Sequence, residues 1–368
     1  MTTYRLVERD FQSFFRVPFE QYRGETYVSP LASDLEAMID GRRNPVFGPD
    51  QITYFTAFDG DTPVGRITVQ IHEASNRRYE RRSASFGFFD CADDPCAARI
   101  LFDAASDWAR RRGCDELAGN FNLTAMQEMG VVVDGHDREP FLAQLHNPAW
   151  IPGLLEASGF EPYFPMTSWK ADLDTVDAES LLGPRQREAM ESPDFSVVPI
   201  RRRGFKRAMD TTWRLLNTSF DRNPHFVPMT REEFAFQADQ MIWVLDPRLA
   251  FLLLHRGEPI AVIACLPDIN PLLRATESRL KWSTPWHWAR FRRTRTRASL
   301  IFGGMVPEMQ NRGLAAVLLY TAIVSMRKAG YRELGITWIS DSNAPSLRQM
   351  EKLGAARHQR LALFRKAI

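Results

Sequence analysis

Leu300-Ile-Phe-Gly-Gly-Met-Val-Pro-Glu-Met-Gln-Asn-Arg-Gly-Leu-Ala-Ala-Val-Leu-Leu319 decides the fold. Its apolar opening reads as a strand ending near Val306. A turn with Pro307 and Glu308 follows. Gln310-Asn311-Arg312-Gly313-Leu314-Ala315 then opens a helix of about four turns. Gly313 and Ala315 are small where a backbone would approach a ligand closely. The first N–H groups of a helix lack internal partners and favour an anion, and Arg312 adds positive charge. The stretch therefore predicts an anion cradle, suited to a pyrophosphate, on a strand-to-helix turn.

The rest of the chain narrows the chemistry. Its 368 residues predict two domains at about 150 residues each. Lys+Arg is 47 and Asp+Glu is 45, for a net charge of +2. That balance argues against a protein that coats nucleic acid. No run of 18 apolar residues occurs, and Met1 to Asp10 carries charges where a signal peptide needs apolar residues. Four cysteines in so long a chain make no disulfide framework, so a reducing, cytoplasmic setting is expected. Dinucleotide, P-loop, zincin and serine-hydrolase motifs are missing, and no cysteine or histidine spacing predicts a metal site.

A faint internal repeat organises the chain. Tyr54 to Val69 and Ala250 to Ala264 each read as strand, turn, strand, with Gly60 and Gly257 at the turns. Ala97 to Arg112 and Leu314 to Lys328 read as helices followed by Gly113 and Gly330. Leu154 to Phe160 parallels Met350 to Ala355, a short helix stopped by glycine before a closing strand. The predicted class is mixed α/β: a mostly antiparallel sheet flanked by helices, built twice in tandem. The expected boundaries are 1–173, a polar linker over 174–195, and 196–368.

Gln310 to Ala315, with Val306-Pro307-Glu308 before it, resembles the Q/R-x-x-G-x-G/A signature of the GNAT superfamily of N-acetyltransferases. Asn343-Ala-Pro-Ser-Leu-Arg-Gln-Met-Glu-Lys-Leu-Gly354 resembles that superfamily's closing helix. The resemblance implies that Met305 and Val306 hydrogen-bond pantetheine. It implies that Gln310, Asn311, Arg312, Gly313, Leu314 and Ala315 hold the pyrophosphate of an acyl-CoA co-substrate, with Asn343 nearby and no metal needed. Two positions depart. Met350 stands where a tyrosine general acid is common, and Ala355 follows the last glycine in place of phenylalanine. The equivalent turn of the first half, Asp90 to Ala97, has no glycine and three aspartates, so a degenerate, coenzyme-free first half is expected.

A narrower resemblance spans almost the whole chain. Gly119-Asn-Phe-Asn, Gly130-Val-Val-Val-Asp-Gly-His, His146-Asn-Pro, Asn223 to Met229 and Leu266-Pro-Asp-Ile-Asn270 are similar to tandem GNAT proteins that include bacterial ceramide synthases. Pro224-His225 departs from that family's Trp-Gly. The implied activity is N-acyl transfer from an acyl thioester, on CoA or an acyl carrier protein, to a primary amine. A long-chain acyl group and a lipid or sphingoid amine are the sharper expectation. Acetyl transfer to a small soluble amine or peptide, and a non-catalytic CoA- or lipid-binding scaffold, are the alternatives.

An amine acceptor must lose a proton, so a carboxylate or histidine should lie near the reacting carbon. Asp268 and His225 are the expected bases. Finally, Leu272 to Arg297 carries eight basic residues against Glu277 alone, with Trp282, Trp286, Trp288 and Phe291 interleaved. That pattern suits peripheral contact with the inner face of a membrane, or a solvated loop around a small tryptophan core; nucleic acid is not expected. Arg293 to Arg297 alternates like the approach to a strand.

Overall fold

The computed structural model describes residues 4–239 and 241–368. The first half contributes β1 (Tyr4–Glu8), β2 (Ile52–Asp59), β3 (Thr62–Gln70), β4 (Ser83–Cys91) and β5 (Glu116–Gly119). Short strands β6 (Phe121–Asn122), β7 (Glu128–Met129) and β8 (Val131–Asp134) precede the long β9 (Glu161–Asp172). The second half contributes β10 (Phe195–Pro199), β11 (Ala250–His255), β12 (Glu258–Pro267), β13 (Arg297–Met305), β14 (Glu333–Ser340) and β15 (Ala356–Ala367). Both glycine hairpins and both helices expected from the repeat are present, the helices as Pro95–Arg110 and Leu314–Lys328.

One sheet of thirteen strands runs through the molecule in the order β1-β2-β3-β4-β5-β15-β9-β14-β13-β12-β11-β10, with β8 beside β15. The order is a palindrome about the β15–β9 seam. Each half supplies five consecutive strands, but its closing strand belongs to the other half's sheet. β15 pairs β5 and β9 pairs β14, both antiparallel. Alternation along these strands sends Ala362 and Phe364 of β15 into the first half's core, and Trp169 and Ala171 of β9 into the second's. Neither core closes without the strand of the other half. The two halves are therefore held in one fixed relation, which any site between them requires.

The polar 174–195 stretch is not slack. It forms a 3-10 turn, Ala178–Leu181, and a helix, Pro184–Glu191. Ala178, Leu181 and Ala189 enter the second core, and Tyr320 donates to Glu179 at 2.7 Å. The basic stretch differs from its expected form. The helix Thr284–Thr294 runs through Arg293, and β13 starts only at Arg297. Pro285 sits in its first turn and Phe291 anchors it by burial. Trp282 and Trp286 are exposed, so no tryptophan core forms there. Among the described residues no helix is long and apolar enough to cross a membrane.

Candidate active site

β13 and β14 run parallel only from Arg297↔Glu333 to Leu300↔Ile336. Beyond that they diverge, which opens one edge of β13. Its other edge stays paired with β12 as far as Ala261↔Met305. Val306 donates its N–H to Ile260 at 2.9 Å, so it is not available to a ligand, contrary to the sequence expectation. Alternation of an antiparallel ladder turns the main chain of Gly303 and Met305 towards the opening. The Met305 carbonyl accepts from Gln310 Nε2 at 2.9 Å.

The turn that follows has Asn311 at φ 61° and Gly313 at φ 75°, and Gly313 caps the Leu314–Lys328 helix without a side-chain acceptor. The first N–H groups of that helix therefore stay open to an anion. Asn311 and Arg312 are exposed. The Leu314 side chain is buried in the core, so it is the backbone of Leu314 that can serve a ligand. Gly313 is tight for a reason outside any ligand, since a Cβ there would lie 1.9 Å from Gln186 Nε2. Asn343 caps the Ala344–Leu353 helix by accepting from Ser346 N at 3.2 Å.

The first half closes the same opening with its own chain. β4 and β5 run parallel from Ser83↔Glu116 to Phe86↔Gly119, and then β6 lies in the gap. Asn122 Oδ1 accepts from Phe88 N at 2.8 Å and Asn120 Oδ1 from Phe89 N at 3.4 Å. A Cβ on Gly87 would lie 1.9 Å from the Phe121 carbonyl oxygen. At the helix start, Asp94 accepts from Cys96 N at 2.8 Å and Ala97 N at 3.4 Å. That carboxylate takes the place an anion would need. Asp90 does not act through repulsion: Arg66 neutralises it at 2.6 Å, with both side chains buried.

A cavity of about 1100 Å³ joins the two halves. At one end lie Gln310, Asn311, Gly313, Ala315, Asn343 and Met350. Its middle passes between the diverged strands, lined by Ile301, Phe302, Trp338, Phe164 and Phe220. The far end is walled by the first half, where Asn122, Glu128 and His146 stand among apolar residues such as Met38, Phe88 and Met126.

Residues 210–355 match the acetyltransferase (GNAT) family model. Those residues form a GNAT domain. Over 379 residues it is 26% identical to Protein YghO of Escherichia coli (strain K12), covering 99% of this chain and 94% of the relative. Over 352 residues it is 26% identical to a bacterial ceramide synthase of Caulobacter vibrioides (strain NA1000 / CB15N), covering 93% and 90%. The tandem GNAT protein from the clavulanic acid biosynthesis pathway shares the fold with a TM-score of 0.62 at 12% identity, covering 99% and 98%. A GCN5-related N-acetyltransferase from Sphaerobacter thermophilus gives 0.55 at 13% identity, covering 99% and 95%. The enzyme class that follows is a GNAT-type N-acyltransferase, for which acyl-CoA is the co-substrate.

Against this GNAT frame, neither expected base reaches the cavity. Asp268 is fully buried behind the wall. Its Oδ1 accepts from Leu142 N and Asn270 N, both at 3.1 Å, and Arg297 Nε lies 3.2 Å from Oδ2. Burial raises its pKa and Arg297 opposes the rise. This carboxylate ties the Pro140–Leu142 segment to β13. His225, at φ 63°, sits among Phe121, Tyr163 and Phe164, the last with ring centroids 4.8 Å away. Burial lowers its pKa to about 4, so it is neutral near pH 7 and packs as an aromatic ring.

Glu128 is the group that sequence reasoning missed. It faces Asn122 across the β6–β7 pair and accepts from Asn122 Nδ2 at 2.8 Å. Asn122 is itself held by Phe88 N and by Asn120 Nδ2 at 3.1 Å, so the carboxylate is fixed to the plugged β4. Among the described residues no lysine or arginine pairs with Glu128, and burial raises its pKa. His146 lies in the same wall. Thr26 Oγ1 lies 3.3 Å from its Nδ1, and Glu25 is 3.2 Å from its Nε2 without making a hydrogen bond to it. The Gly119-Asn-Phe-Asn run carried the signal for Glu128, because a hairpin after Asn122 brings a nearby acid opposite it.

Proposed function

We propose that this N-acyltransferase moves a long-chain acyl group from acyl-CoA to the primary amine of an amphipathic acceptor of the sphingoid-base type. One observation carries the reading: Glu128, a carboxylate without a cationic partner, lines the far end of a long cavity whose other end is an anion cradle. A buried carboxylate without a counter-charge is costly, and an incoming ammonium would relieve that cost. The apolar middle supports an acyl chain, or the acceptor's tail, over a small polar substrate. The likeness to a protein named bacterial ceramide synthase points the same way.

The cradle fits the donor. Open N–H groups at the Leu314–Lys328 helix start, together with exposed Arg312, would hold the pyrophosphate. The open edge of β13 at Gly303 would pair with an amide of the pantetheine arm. The Met305 N–H would face the negative charge that grows on the carbonyl oxygen. Glu128 takes the first proton, which the ammonium must lose to become a nucleophile, and passes it to solvent; the nitrogen then sheds a second proton to Glu128 as the C–N bond forms. The C–N bond forms and the C–S bond breaks. The leaving thiolate takes a proton from the Glu128 carboxyl or from water, since the Met350 thioether has none to give.

Thermal unfolding against acyl-CoA ligands from acetyl to palmitoyl tests this. A ligand bound only by the native state raises Tm by mass action. The shift is expected to grow with chain length, and Glu128→Gln should keep it while losing turnover. A shift with acetyl-CoA alone would replace the reading with acetylation of a small amine.

A further inference from the structure

Among the described residues, three of the four most exposed large apolar side chains stand together in sequence, and the fourth adjoins the same arm. Trp282 is 94% exposed, Trp243 74%, Leu280 73% and Trp286 61%, whereas the other exposed large apolar residues reach at most 44%. Three belong to the basic arm between β12 and β13. The fourth, Trp243 on the short helix Met241–Val244, lines a recess of about 230 Å³ with Trp288, Phe291 and Arg292 of that arm. Four arginines line the recess, Arg202, Arg248, Arg292 and Arg295, against the single acid Asp246. Arg248 and Arg295 pair with Asp246 at 2.7 and 3.0 Å. Among the described residues Arg202, Arg290, Arg292 and Arg293 have no carboxylate partner. Of the whole helix Thr284–Thr294 only Phe291 is buried.

We propose that this face is a docking surface for an anionic lipid bilayer. Trp282, Trp286, Leu280 and Trp243 would enter the headgroup layer, and the recess would seat a lipid phosphate beside Arg202 and Arg292. Indoles prefer that depth, and each basic side chain near an anionic membrane adds roughly 1 kcal/mol. Tryptophans this exposed, without carboxylate partners for the nearby arginines, fit a lipid interface better than a folded acidic partner. The arm is also fastened to the cavity. Leu273 lines it, Ala32 N donates to Ser278 O at 2.8 Å, and Ser278 Oγ donates to the Ser29 carbonyl at 2.7 Å, beside Val28–Pro30 in the wall. A bilayer on this face would stand at the edge of the acceptor end.

Co-sedimentation of the full chain with phosphatidylcholine vesicles, with and without phosphatidylglycerol, tests the proposal without donor or acceptor, so it can fail independently of the acyl-transfer reading. Binding is expected only with the anionic lipid, weakening as salt rises. Arg290→Gln/Arg292→Gln/Arg293→Gln should weaken it roughly 100-fold, about fivefold per side chain. Trp282→Ser/Trp286→Ser should release the protein from vesicles while Tm and the acyl-CoA shift stay unchanged. Equal binding to both vesicle types, wild-type binding by the tryptophan variant, or retention on single-stranded oligonucleotide with vesicles ignored would each overturn it.

Discussion

The two halves hold the same pair of diverging strands, and only one pair is open. Between β13 and β14 the gap is part of the cavity, and the helix beyond it starts on a bare glycine. Between β4 and β5 the chain returns as β6, Asn120 and Asn122 take the free N–H groups of β4, and Asp94 caps the helix. The plug does more than close a vacant slot. The asparagine that closes it also holds Glu128, so the closed slot of the first half builds a wall of the shared cavity. On the proposed function this is a division of labour: the second half would take the thioester, and the first would present the base.

The largest effect expected from that division is at Glu128. Glu128→Gln should reduce kcat by about 10²- to 10⁴-fold, the range for losing a general base, with acyl-CoA binding unchanged by thermal shift. A sharper form uses pH. Burial raises the Glu128 pKa, and the base must be deprotonated to act. The rate should therefore fall as pH drops through a value above the ordinary glutamate range, and the variant should lose that limb.

Asp268 gives the converse. Were it the base, Asp268→Asn would abolish turnover and leave Tm alone. Its burial against Arg297 predicts instead a loss of about 2 kcal/mol in denaturant unfolding. That is below the roughly 3–5 of a fully broken buried pair, because Arg297 keeps Glu139 and Glu333. Turnover should survive below the lowered Tm. Next come the matched turns. Asp94→Ala should cost about 1 kcal/mol of stability and leave the KM for acyl-CoA unchanged. Gly313→Ala, strained at φ 75° and crowded by Gln186, should raise that KM. Equal effects of the two on KM would mean that both turns bind donor. Smallest is His225→Phe, expected to alter kcat little because a neutral ring already packs there.

What could be read from sequence follows locality. Gln310 to Ala315 is a contiguous turn, so its place at a helix start was legible, as were the paired hairpins. The exchange of β9 and β15 was not, because a strand's pattern names its buried face and not its neighbour. Asp268 and His225 were candidates by residue type and chain position, and burial decides against both. Val306 lost its role through ladder parity, which needs the register of β12. Glu128 stayed hidden because its chemistry depends on a cavity wall of one half meeting the open strands of the other. The exposed tryptophans were visible as a composition bias, but their failure to form a core is a fact of packing.

The central claim is that one donor site and one base, from different halves, share one cavity. A crystal structure with a non-hydrolysable long-chain acyl-CoA thioether tests it most directly. The account predicts the pyrophosphate on Gln310 to Ala315 alone, the pantetheine along Met305, and Glu128 facing the reacting carbon. Coenzyme on the Asp90–Ala97 turn, or a reacting carbon walled off from Glu128, would contradict it.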